Sequence, residues 1–107
     1  VNDKSELMSD AFRLFLREAP RQAQAWMDAV QELAGASALD KKTESLAYLA
    51  VLAALRLDSG VPFHAVIAKE AGATRAEIIS AILVGLPAAG NGVTHVLPAA
   101  MRAYDQA

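Results

Sequence analysis

From Ser45 to Leu55 the chain carries no charged residue on any face. A helix that is apolar all round is a buried helix. This segment therefore predicts the central helix of whatever the chain folds into, from Lys41 to about Leu57. Asp40 is placed to cap its N-terminus. The break Asp58-Ser59-Gly60 follows, and Pro62 stands where a first helical turn tolerates proline. A fourth helix, carrying His64, runs to about Ala71 and stops at Gly72. Thr74 with Glu77 three residues on forms a capping box for a fifth helix, Arg75 to about Leu86.

The flanking segments follow the same period. Leu7, Ala11, Leu14 and Phe15 recur at helical spacing, which predicts a first helix over Lys4 to Glu18. Pro20 separates it from a second, Arg21 to Ala34, with Trp26, Met27, Val30 and Leu33 on one side. After the Gly90-Asn91-Gly92 turn a sixth helix is expected from Val93 to about Asp105. No strand pattern, repeat or linker is present. The expectation is an all-α single domain, residues 1–107, of about six helices.

Composition sharpens this. The chain is 54% hydrophobic but only 6% aromatic, so its apolar content is mostly small and aliphatic. A mean hydropathy of +0.25 is high for a small soluble monomer. It calls for a large apolar patch or for a second subunit covering one. Ile78 to Met101 holds no Asp, Glu, Lys or Arg and is long enough to span a membrane. Gly85, Pro87, Gly90, Asn91, Gly92 and Pro98 break it, so it reads as a buried helix–turn–helix. No membrane partner is expected. The N-terminal stretch is acidic and polar, unlike a signal peptide, and a cytoplasmic location is expected.

The net charge is −2, and no basic cluster exceeds Lys41-Lys42. That excludes the basic stripe a nucleic-acid partner needs. There is no cysteine, so thiolate nucleophiles, disulfides and Cys-ligated metals are excluded. His64 and His95 lack a metal-ligand spacing, and no metal or other cofactor is expected. Gly90-Asn91-Gly92 is not a phosphate loop, and Ser59 lacks the setting of a nucleophile elbow.

The chemistry that is left gathers near His64. Its imidazole titrates in the range of acid–base work. Arg56 and Asp58 precede the break, and Glu44 lies on the central helix with Tyr48 one turn on. A pocket between the third and fourth helices would make His64, Asp58 and Glu44 the catalytic candidates. Arg56, Tyr48 and Ser45 would then hold substrate. His64 as a hydrogen-bonded packing residue is the competing reading. His95, with no carboxylate nearby in sequence, reads as a packing or subunit-contact residue.

The segments KTESLAYLAVLAAL, FHAVIAKEAGATRAEI and VGLPAAGNG, over about Ala38 to Tyr104, resemble the carboxymuconolactone decarboxylase superfamily, which includes the alkylhydroperoxidase D branch. The resemblance implies a helical fold assembled as a homo-trimer or homo-hexamer. In the alkylhydroperoxidase branch a Cys-x-x-Cys pair precedes the His and a Glu activates it. Those positions fall here on Leu57, Gly60 and Ser45. Glu44 is one residue away, a rotation of about 100° on a helix. Thiol peroxidase chemistry is therefore not expected. The decarboxylase branch needs no cysteine. It implies a cofactor-independent acid–base enzyme, lyase-like, on a small carboxylated or carbonyl substrate. A non-catalytic oligomeric member and a small-ligand-binding module are the alternatives.

Overall fold

The structure, a computed structural model, describes residues 4–107. Among them every regular element is helical, as expected. The α-helices are α1 (Asp10–Glu18), α2 (Pro20–Ala36), α3 (Lys41–Ala54), α4 (Val61–Glu70), α5 (Arg75–Leu83), the one-turn α6 (Leu86–Ala89) and α7 (Leu97–Gln106). Short 3-10 segments lie at Lys4–Leu7, Asp58–Gly60 and Asn91–Val96.

Local chemistry sets these ends. The Asp40 carboxylate accepts the Thr43 N–H at 2.8 Å and opens α3. Thr74 and Glu77 exchange side-chain and backbone bonds in a full capping box at the head of α5. Gly72, in the left-handed region with φ 100°, closes α4. There the Ala73 N–H donates to the Ala68 carbonyl and the Gly72 N–H to that of Lys69. This is the Schellman pattern.

Helix α2 runs a residue or two beyond the expected Arg21–Ala34 at each end, the one-turn α6 was not expected, and four further boundaries differ from the sequence reading, three with a clear local cause. The first helix is divided at Ser9, whose extended backbone and Oγ, accepting from the Phe12 N–H at 3.1 Å, cap a fresh α1. Helix α3 stops at Ala54 rather than Leu57. The Leu57 N–H reaches back to the Leu52 carbonyl and Arg56 takes φ 57°. The last expected helix is 3-10 through Val96 and α-helical only from Leu97. Pro98 has no N–H, and its ring would clash with the carbonyl four residues earlier, so the α-helix restarts with proline in its first turn. Helix α5 ends at Leu83 instead of Leu86.

Leu49, Val61, Ile78, Ile82, Val93 and Val96 are the largest fully buried side chains. Ala53, Ala65, Ala68 and Ala100 are sealed among them, small residues that let the helix axes approach. Helix α3 is central, packed on α4, α5 and the Asn91–Val96 segment, and α4 also packs on α7. The charge-free stretch 78–101 is shared among α5, α6, the 3-10 segment and α7. No described helix is long and apolar enough to cross a membrane.

Not all the apolar surface is used. Val51 on α3 is 52% exposed and Leu55, just after its end, 62%, so the helix is central but not enclosed. Helix α2 packs chiefly on α1 and buries only Ala23. Its Trp26 and Leu33 are 56% and 70% exposed. Between α3 and α5 runs an open apolar groove lined by Leu46, Ala47, Ala50, Ala81 and Val84.

Candidate active site

His64 sits in the first turn of α4, just after Pro62 fixes the entry of that helix. It is half-buried. Its ring lies against Tyr48 of α3, with centroids 4.5 Å apart and planes tilted by 53°. Phe63 meets it edge-on at 5.3 Å. Burial pushes its imidazole below the usual pKa of 6.5, because the charged form loses solvation. The ring is therefore neutral at pH 7. Among the described residues no carboxylate or guanidinium bonds to it.

The other sequence candidates distribute as follows. Tyr48 is brought to His64, as the helical register of α3 and α4 requires. Glu44 and Ser45 lie half-buried on α3, and neither bonds to His64. The groove beside them is instead bordered by a Lys42–Glu77 ion pair at 2.8 Å, which ties the head of α3 to the head of α5. That pair and the capping bond together lower the Glu77 pKa.

Asp58 takes a different partner. Its Oδ2 lies 3.4 Å from Nε2 of His95, a residue expected only to pack or to meet a subunit. Arg56 turns towards the same segment. Its guanidinium occupies the space that a Cβ on residue 92 would fill, which is open because that residue is glycine. The signal for this cluster was present in the spacing of Gly92 and His95. It was masked by reading Gly92 as the end of a turn and His95 as part of the α-helix after it, which gives the two no common face. In a 3-10 helix they eclipse.

No three His, Asp or Glu side chains converge as metal ligands among the described residues. The arrangement sets an imidazole against a phenol at His64 and Tyr48 and gathers a carboxylate, a second imidazole and a guanidinium around residues 58, 92 and 95.

A helical domain with a histidine set one turn into the helix after a central apolar helix defines the class. The model of the carboxymuconolactone decarboxylase family matches residues 20–103. The chain belongs to that family. Neither a search of curated proteins nor one of solved structures gave a match.

Proposed function

We propose that the chain is a cofactor-independent acid–base enzyme acting on a small carboxylated or carbonyl compound, with His64 as the proton-transfer group. The observation that supports this is the setting of the imidazole: half-buried, with its pKa lowered by burial, and in tilted ring contact with Tyr48. A neutral imidazole is competent as a base at pH 7. Without cysteine the thiol-peroxidase chemistry of the related branch has no thiol to oxidise. No peroxide consumption with a dithiol donor is expected, measured against a protein-free blank.

The bare environment of His64 favours a second reading, a family member that keeps the fold without the reaction. Thermal melts of wild type and His64→Ala separate the two, each run with a panel of small carboxylates and carbonyl acids. Under the enzymatic reading the ligands raise the Tm of wild type more than that of His64→Ala, whose own Tm without ligand changes little. A large Tm loss in His64→Ala with equal ligand effects in the two proteins assigns His64 to packing.

A further inference from the structure

The molecule closes two helices with the same Schellman geometry. At the end of α4 the left-handed residue is Gly72, and at the end of α3 it is Arg56. Glycine is the residue this position favours, since any Cβ there is strained. The arginine is not needed to end the helix. Its side chain does something else.

That side chain crosses to the Asn91–Val96 segment and lies over Gly92, in space only a glycine leaves open. A 3-10 helix has three residues per turn and rises about 2 Å per residue. Gly92 and His95 therefore stand one above the other on one face, about 6 Å apart. His95 holds the Asp58 carboxylate at 3.4 Å through Nε2. The Thr94 hydroxyl, donating to the Asn91 carbonyl at 2.8 Å, braces the same turn. A guanidinium, an imidazole and a carboxylate thus line up along one solvent-facing strip. Asp58 and His95 are each more than half exposed. Among the described residues the Arg56 guanidinium has no anionic partner, because Asp58 is directed to His95.

We propose that Arg56, Asp58 and His95 form a binding site for a small monocarboxylate bearing a hydroxyl next to the carboxyl group. Arg56 offers a planar fork that matches a carboxylate bidentately. His95, whose Nε2 faces Asp58, leaves Nδ1 to accept a hydrogen bond from the adjacent hydroxyl. The Asp58 charge disfavours a multiply charged anion, so a monocarboxylate is selected over phosphate. This site uses none of the chemistry assigned to His64 and stands independently of it.

The test is a titration of the full chain with lactate, and separately with inorganic phosphate, followed by the ring ¹H–¹⁵N resonances of His95 in NMR. Lactate is expected to shift them saturably at millimolar concentration. Arg56→Gly, which keeps the left-handed turn and so the fold, should weaken lactate by about tenfold or more, as loss of a charge-assisted pair implies. Gly92→Ala, whose Cβ displaces the guanidinium, should weaken it as well. His64→Ala should leave the titration unchanged. The proposal is overturned by an absence of saturable shift in wild type, by unchanged affinity in Arg56→Gly, by equal loss in His64→Ala, or by phosphate binding as tightly as lactate.

Discussion

Arg56 shows how a single residue can be costly to the fold and retained. A non-glycine residue in the left-handed region costs about 1–2 kcal/mol, against which glycine loses some unfolded-state entropy. Arg56→Gly is therefore expected to raise stability by about 1 kcal/mol in denaturant melts, even as it removes the charge over Gly92. A decrease would mean that the guanidinium contributes more to the fold than its conformation costs. His64 makes a second residue-level prediction, through pH. Its folded pKa is lowered by burial below the ordinary 6.5. Above that value the ring is neutral in both states and contributes no pH dependence. As pH falls below 6.5 the unfolded chain takes up a proton that the folded chain refuses, so stability falls until the folded pKa is reached. Asp40, Glu77 and Asp105 have lowered pKa values. Their contributions are lost only at more acidic pH, as each is protonated in the fold. The slope just below pH 6.5 should vanish in His64→Leu and persist in variants of the carboxylates. An unchanged slope in His64→Leu would assign it elsewhere.

At the scale of elements, what was legible was punctuation. Asp40, Pro62, Gly72 and the Thr74–Glu77 pair act through bonds to their own neighbours, so a linear reading finds them. What was not legible depended on contacts between distant segments. The Asp58–His95 pair joins residues far apart in the chain, and Arg56 reaches Gly92 only because α3 packs on the 3-10 segment. The local type of that segment was missed as well. Pro98 was visible, but its effect on the preceding turn was outweighed by apolar periodicity. The caps give a direct test. Thr74→Ala removes half of the capping box of α5 and should cost about 1 kcal/mol. Thr74→Ser should restore most of it. An unchanged melt in Thr74→Ala would mean that α5 is held by packing of Ile78 and Ile82 alone.

At the scale of the whole molecule the question is what holds α2. Most of a helix's stability in a protein comes from packing of its apolar face rather than from propensity. This one packs chiefly on α1 and buries a single alanine. Trp26, Val30 and Leu33 recur at helical spacing along it, all exposed. The groove between α3 and α5 is lined by alanines that leave room for a ridge of larger side chains. A ridge on one part of the surface and a groove on another make a heterologous contact, which closes into a ring when the rotation permits. We therefore propose that α2 of one copy docks in the α3–α5 groove of the next, giving the trimer or hexamer that the family resemblance implies. Covering the exposed parts of Trp26, Val30 and Leu33 supplies the apolar area of the contact, at roughly 25 cal/mol per Å², against the several kcal/mol that association costs. Sedimentation at micromolar concentration should give a multiple of 11.3 kDa, and Tm should rise with protein concentration, as it does when assembly stabilises the fold. Leu33→Glu places a charge in the contact and should yield a smaller species with a lower Tm that no longer depends on concentration. Val84→Glu, on the groove side, should do the same although it lies at the end of α5 and not on α2. A wild-type species of 11.3 kDa with a concentration-independent Tm would show that α2 is stable on its own chain and that its apolar face has no partner.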